Sequence, residues 1–335
     1  MTDLKSTLFA LIKMQRAKMP PAQRRRKSGN PRGIAWIYPH ALERQYYQSI
    51  KKIMQKFTEE VNFTLKNSLD RWIKEFNPGM NTDSRQDAYP DDLVVMVSQL
   101  KGTLEEVFKT KAPETRVMIT NIGFDVNYQN KAQLNKFVNK MVGIEFFTDE
   151  PWEGEVIDAW GNTNFELIQG LSSEYIKGIN TIVSEGVQSG QSSKYIFDKI
   201  LALDKTMTEA RAKLIAVDQV GKLNGQMTKR RQEEAGIETY LWSTVGDQRV
   251  RGNPSGHFPG AVPSHWIMEH PRKLYRWDNP GLYSDDNGKT WKQKTGAMEF
   301  LIPGWAIRCR CTALPNFEDI VSQVDKMLEE EEKVA

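Results

Sequence analysis

Apolar residues recur every three or four positions through most of the first 235 residues, and the period shortens towards two beyond Gly236. From Pro39 the series Leu42, Tyr46, Ile50, Ile53, Phe57, Val61, Leu65, Leu69 and Trp72 has Lys, Glu and Gln between its members. That spacing predicts a long amphipathic helix ending before Asn77-Pro78-Gly79. Pro90-Asp91-Asp92 suits a first helical turn, where proline lacks no needed amide and acids face the positive end of the dipole. The helix it opens is expected to reach about Lys111, with Leu93, Val97, Leu100, Leu104 and Phe108 on one face. Residues 113–147 carry mixed signals, among them Val117-Met118-Ile119 and a helix over Ala132 to Val142. After Pro151, Ile168, Leu171, Tyr175, Ile179, Ile182 and Val183 mark another helix, which breaks at Gly186 to Gly190. A short helix from Ser192 to Leu203 follows. Thr206 and Glu209 then have the spacing of a capping box, and the helix they open is expected to stop at Gly236.

Thr239 to Val245 is β-branched and aromatic and turns at Gly246-Asp247, which reads as a strand. Arg272 to Trp277 is a second strand candidate. Ala306 to Leu314 is a third, its alternation placing Ile307, Cys309, Cys311 and Ala313 on one face and Arg308, Arg310 and Thr312 on the other. Residues 317–333 close the chain as a short acidic helix. The expected class is α+β, a predominantly helical N-terminal body followed by a small C-terminal α+β unit with a short antiparallel sheet. The expected division is 1–36 a basic flexible arm, 37–205 the helical body, 206–316 the small unit and 317–335 an acidic helix or tail.

Charge sharpens the first and last of these. Residues 1–33 carry nine cations against Asp3 alone, so that segment is +8 and the remaining 302 residues sum to −5. Proline, glycine and the run Arg24-Arg25-Arg26-Lys27, with Arg32 beyond it, leave little to bury, and the segment reads as an extended arm. Its expected partner is a polyanion or an acidic protein surface. The chain's own end, Glu329 to Glu332, is acidic.

No apolar run nears the roughly 18 residues of a membrane span, and the N-terminal order of apolar patch then cations is the reverse of a secretory signal. Two cysteines make no disulfide framework, so the expected compartment is reducing cytoplasm. Cys309 and Cys311 with His265 are a partial ligand set for zinc, whereas the alternation reads them as one apolar strand face. Trp152, Trp160, Trp242, Trp266, Trp277, Trp291 and Trp305 read as core rather than as platforms for bases.

One ordered series of motifs is more specific. Gly236 precedes the aromatic strand with Trp242-Ser243-Thr244, followed by Asp247-Gln248-Arg249-Val250-Arg251 and then His265. Next come Tyr275-Arg276-Trp277-Asp278-Asn279-Pro280, Pro303-Gly304 and Cys309-Arg310-Cys311. In this order the last third of the chain resembles the head-morphogenesis family of phage Mu F-like minor head proteins. It departs from that pattern in two respects: Gly252 to Pro263 separate the arginine turn from its histidine, so His257 or His265 can be the equivalent, and a Cys-x-x-Cys after the aspartate is missing.

The resemblance implies a non-enzymatic minor capsid protein of a tailed phage, assembled in the host cytoplasm and lying in the head interior near the portal. The implied partners are the portal protein, packaged double-stranded DNA and scaffold or major capsid protein, with no membrane. Arg24, Arg25, Arg26, Lys27 and Arg32 would make the DNA or portal contact. Trp242, Asp247, Arg249, Arg251, His265, Trp277, Asp278, Pro303, Gly304, Cys309, Arg310 and Cys311 would be structural motif residues, with no cofactor. Two other classes compete. One is a nucleic-acid-cleaving or modifying enzyme centred on Asp247 and His265, with the arginines holding phosphate. The other is a plain DNA-binding module acting through the arm.

Overall fold

The computed structural model describes residues 4–24, 34–76, 90–143 and 150–334. Along them run α1 (Leu4–Ala17), α2 (Pro21–Arg24), α3 (His40–Phe76), α4 (Pro90–Val142), α5 (Glu153–Gln188) and α6 (Ser193–Glu234). There follow β1 (Thr239–Ser243), α7 (Trp266–Glu269), β2 (Leu274–Arg276), β3 (Leu282–Ser284), β4 (Lys292–Gln293), β5 (Thr312–Pro315) and α8 (Glu318–Val334). The class is α+β, as expected: long helices and one small antiparallel sheet near the C-terminus. No helix among the described residues is long and apolar enough to cross a membrane.

The chain forms two compact units, one of Ala41–Gly123 with Glu155–Ala216, the other of Met1–His40, Phe124–Gly154 and Val217–Ala335. This corrects the linear division at residues 36, 205 and 316. α4, α5 and α6 each contribute residues to both units. A boundary sought at loops and composition shifts misses a division that falls inside continuous helices.

The first unit is helical. Tyr46, Ile50, Ile53, Phe57, Val61 and Leu65 form the buried stripe of α3, as their spacing predicts. Phe57 meets Phe108 of α4 edge-on at 6.0 Å and Tyr175 of α5 at 6.1 Å. The buried Tyr46 hydroxyl donates to Asn164 Oδ1 at 2.7 Å, so its one polar group is not stranded. Two expected helix breaks do not occur. α4 continues through Pro113, which forfeits one amide bond, because Leu104 and Phe108 before it and Ile119 and Ile122 after it all bury on one rod. α6 likewise runs through Thr206 without a break. Glu209, expected to return to a cap at Thr206, instead accepts the Tyr47 hydroxyl at 2.6 Å.

The second unit holds the sheet, in the order β4-β3-β2-β1-β5 with every pairing antiparallel. β1 lies between β2 and β5 through the Tyr240↔Tyr275 and Trp242↔Ala313 pairs. α6 enters this unit and stops at Gly236 as its glycine predicts. Gly236 has φ +72°, its amide donates to Glu233 O at 2.9 Å, and the Ile237 amide donates to Gln232 O at 2.8 Å. That double closure is the Schellman motif. Strands β3 and β4 were not expected from the sequence, since pairs of two or three residues are too short to show a period.

The N-terminal arm needs the largest correction. Residues 4–24 form the helices α1 and α2, which are packed rather than extended. Leu4, Leu8 and Ile12 bury with Phe317, Ile320, Val321, Val324 and Leu328 of the C-terminal segment, so the acidic helix expected over residues 317–333 forms and is packed. Three of the arm's cations pair with acids of α8. Lys13 Nζ lies 2.5 Å from Glu331, Arg16 grips Asp325 with two bonds of 2.6 Å, and Arg24 pairs with Glu332. The acidic partner foreseen for the arm is, for this part of it, the far end of the same chain. Arg25, Arg26, Lys27 and Arg32 lie outside the described residues.

Gathered around Arg231 of α6 is a buried polar cluster in the same unit. The Arg231 side chain is 0% exposed; Nε donates to Glu150 Oε1 at 2.9 Å and Nη2 to Glu150 Oε2 at 2.7 Å. Nη1 donates to Asn130 Oδ1 at 2.8 Å, and Nη2 also reaches Asn127. Asn130 in turn donates to Asn224 Oδ1 at 2.9 Å and Thr228 Oγ1 at 2.7 Å. The network ties Asn127 and Asn130 of α4, together with Glu150, to α6 with these polar groups paired.

Candidate functional site

The motif residues converge on one core beside the sheet. Tyr240 of β1 stacks on Trp277 with ring centroids 4.0 Å apart, and Trp242 meets Tyr275 of β2 at 6.0 Å. Trp277 Nε1 donates to Gln232 Oε1 at 3.1 Å, while Gln232 Nε2 donates to Ala313 O of β5 at 3.0 Å. One α6 amide thus fastens both flanks of β1 to the helix. The expectation that Trp242 and Trp277 are core holds, as it does for Trp152 and Trp160, whereas Trp305 is 44% exposed.

The turn after β1 is a positioning device. Asp247 Oδ1 accepts the Arg249 amide at 2.9 Å, and Asp247 O accepts Val250 N at 3.2 Å. Arg251 O then accepts the amides of His265 and Trp266, both at 3.0 Å, while Arg251 Nη2 donates to Ile307 O at 2.6 Å. One arginine therefore holds the His265 loop through its backbone and the 307 loop through its side chain. His265 is buried here and His257 is exposed, so the structure places His265 in the motif core. Asp278 pairs with its neighbour Arg276 at the surface through bonds of 2.7 and 2.6 Å.

Pro303-Gly304 is a close approach of two backbones. Gly304 has φ +90°, and a Cβ on it would lie 2.4 Å from Gly221 O. A Cβ on Gly225 would lie 2.4 Å from Pro303 O, and one on Gly221 would lie 2.7 Å from Cys309 O. Gly221 and Gly225, one helical turn apart on α6, were missed by sequence reasoning. Their four-residue spacing was the available signal, since a pair of glycines on one helix face admits a backbone.

The cysteines do not lie on a strand, as had been expected. β5 begins only at Thr312. Arg308 has φ +59°, which breaks the alternation; Ile307 turns out to solvent while Cys309 and Cys311 turn in. Both sulfurs face His265. Nδ1 lies 3.5 Å from Cys309 Sγ and 3.4 Å from Cys311 Sγ. On the other side of the ring, His265 Nε2 lies 3.2 Å from Glu299 Oε2. The Cys311 amide donates to Cys309 Sγ at 3.4 Å. Glu299 had no motif to announce it, because it is found only by where its loop returns.

Electrostatically the cluster behaves as a unit. Burial opposes a charge on His265, yet the Cys309 sulfur and the Glu299 carboxylate outweigh it and take its pKa up to about 9. The bond from Cys311, followed by the His265 contact, draws the Cys309 thiol well below the usual range, and burial pushes Cys311 well above it. Lys294, whose Nζ donates to Glu299 O at 2.7 Å over the Tyr275 ring, is lowered to about 8 by burial. A sulfur, an imidazole and an orienting carboxylate in a row resemble a nucleophile with its base. However, His265, Cys309 and Cys311 are 3–4% exposed, and a nucleophile must be reached by its substrate. Two sulfurs and one ring nitrogen, all within 4.8 Å of one another, are also the donors that soft divalent ions take.

Asp247 and His265 make their side-chain bonds to different groups. The side-chain bonds of Asp247 stay within its own turn, those of His265 go to Glu299 and the cysteines, and none joins the two. Asp247→Ala is accordingly expected to remove one side-chain-to-backbone bond and cost about 0.5–1.5 kcal/mol of stability. Denaturant unfolding checks this, and a loss of several kcal/mol would overturn the local role. Arg24, offered from sequence for DNA or portal contact, is 5% exposed and is held by Met19 O, Glu332 and the Arg16 side chain.

These features define a helical α+β protein whose small sheet is closed by a His-Cys-Cys core. An uncharacterized protein of Haemophilus influenzae (strain ATCC 51907 / DSM 11121 / KW20 / Rd) is similar to this chain, with 26% identity over 284 residues. The match covers 82% of this chain and 54% of that protein, so the chain spans about half the length of this relative. No family model and no solved structure matches.

Proposed function

We propose that the chain is a non-enzymatic minor head protein of a tailed phage, joining the procapsid near the portal and lying beside the packaged DNA. The observation that carries this reading is the convergence of the motif series. Aromatic strand, arginine turn, His265, second strand, Pro303-Gly304 and cysteine pair are scattered from Gly236 to Cys311, and all pack into one sheet unit. Chance matches have no reason to meet in space, so the convergence supports a resemblance of fold to the Mu F-like family. Burial of the reactive groups favours a folding role for the motif over catalysis. Phe300, Leu301, Trp305 and Ile307 are exposed between the motif residues, and exposed apolar side chains this close together suit a protein partner such as the portal.

Mass spectrometry of purified virions and procapsids is expected to find the protein in a few copies per particle, and its absence from both overturns the reading. Portal pull-down distinguishes which surface is used. The variant for this test replaces Arg25, Arg26, Lys27 and Arg32 with Gln. Deleting residues 1–33 would also strip α1 from its core and confuse contact with unfolding. If these four cations meet DNA, binding falls with log salt at a slope of about −3 to −4 and flattens in the variant. Portal capture that survives the four substitutions but fails in Trp305→Ala/Ile307→Ala assigns docking to the apolar group.

A further inference from the structure

We infer that His265, Cys309 and Cys311 bind one zinc-like divalent ion, with Glu299 as the residue that orients the histidine. The first argument is geometric. An ion with bonds of about 2.3 Å to sulfur and about 2.0 Å to nitrogen, tetrahedrally arranged, sets nitrogen and sulfur about 3.5 Å apart. Here those separations are 3.5 and 3.4 Å, and all three donors fall within 4.8 Å of one another. Both nitrogen-to-sulfur separations are those of such a shell.

The surroundings provide a second, separate argument. The carboxylate of Glu299 lies 3.2 Å from Nε2, so with an ion bound it would accept the ring N–H there and leave the Nδ1 lone pair for the ion. A carboxylate behind a histidine ligand is the usual outer support of a metal site. The Cys311 amide already points at Cys309 Sγ, and the buried Trp242 Nε1 has no oxygen or nitrogen acceptor and lies beside Cys311. Sulfur bearing full negative charge makes the best use of such donors. Thiolate and imidazole together select a borderline-soft ion over magnesium or calcium, which prefer oxygen.

The ion would join two separated segments of the unit: the loop before α7 through His265, and the segment entering β5 through both cysteines. The described residues supply three ligands, and the fourth corner falls to a small ligand such as water. The site is independent of the head-protein reading and survives its failure.

The test uses the full chain, purified without chelators or a metal column. Elemental analysis is expected to find about one zinc per chain, falling to under about a tenth in Cys309→Ser/Cys311→Ser. Because that variant can unfold, cobalt titration of the metal-stripped wild-type chain gives a second readout. It is expected to show thiolate-to-cobalt charge-transfer absorbance that saturates at one equivalent. Glu299→Gln is expected to keep the stoichiometry while weakening affinity about 10–100-fold in competition with a chromophoric chelator. Wild-type chain that carries no zinc and gives no charge-transfer band overturns the site. So does an unchanged metal content in the double variant, or an intact mass short by the two thiol hydrogens, which marks a Cys309–Cys311 disulfide instead.

Discussion

Arg231→Met is expected to cost about 3–5 kcal/mol of stability, because it leaves the buried Glu150 with only the more distant Lys131, 3.5 Å away, as counter-charge. Methionine keeps most of the arginine volume, so the loss reads electrostatics and hydrogen bonding rather than a cavity. The guanidinium makes bonds to Glu150, Asn127 and Asn130, all of them buried, and a longer one of 3.4 Å to Glu153. Two further measurements separate this account from simple misfit. First, Arg231→Met/Glu150→Gln is expected to recover part of the loss, since removing the stranded charge removes its desolvation cost. Second, the deficit is expected to shrink as pH falls. Burial already pushes the Glu150 carboxyl up, against the pull of Arg231, and removing Arg231 raises it further. A carboxyl whose folded pKa exceeds its unfolded value takes up a proton more readily when folded, so acid favours the folded variant. Urea unfolding across pH checks both, and a cost under about 1 kcal/mol would show that the network is dispensable.

Gly304→Ala is expected to cost about 2–5 kcal/mol through two effects that act together. Its φ of +90° strains any side chain, and its Cβ would press 2.4 Å from the Gly221 carbonyl oxygen, which α6 holds in place. Strain and overpacking each contribute about 1–3 kcal/mol at such positions. Gly225→Ala tests the contact without the φ, since its Cβ would meet Pro303 O at 2.4 Å from an ordinary helical backbone. Gly102→Ala is the control of opposite sign. It is exposed on α4 with nothing within 4 Å of the new methyl, and the substitution is expected to stabilise by about 0.5–1 kcal/mol. Thermal or denaturant melts order the three, and Gly304→Ala melting like the wild type would remove the backbone-on-backbone account of the Pro-Gly motif.

Both sites bear on how the sheet unit is held. Gly221 and Gly225 admit the 303–309 loop against α6, Gln232 bonds Trp277 and β5, and Arg231 fastens Asn127, Asn130 and Glu150, all within about three turns of one helix. The C-terminal half of α6 is the frame on which the motif residues are mounted. Proteolysis or hydrogen exchange would therefore find this helix among the slowest parts of the unit to open.

What the sequence by itself determined is the local structure wherever one period or one cap is sufficient. The α3 stripe, the glycine stop at Gly236 and the strand nature of β1 and β2 follow from neighbours within four residues, and backbone geometry alone enforces them. It also brought the motif series into view, because order along a chain needs no coordinates. Tertiary structure alone decided the rest. α4 and α6 override a proline and a capping pair because burial along a continuous rod outweighs a local preference. Lys13, Arg16 and Arg24 of the basic arm are matched by an acidic helix some 300 residues away, and periodicity carries no information about which ends of a chain meet. Cys309 and Cys311 alternate like a strand face, yet the left-handed turn at Arg308 and the return of the 299 loop set them around His265. That cluster is a matter of three-dimensional closure, which a pattern of alternate residues cannot express.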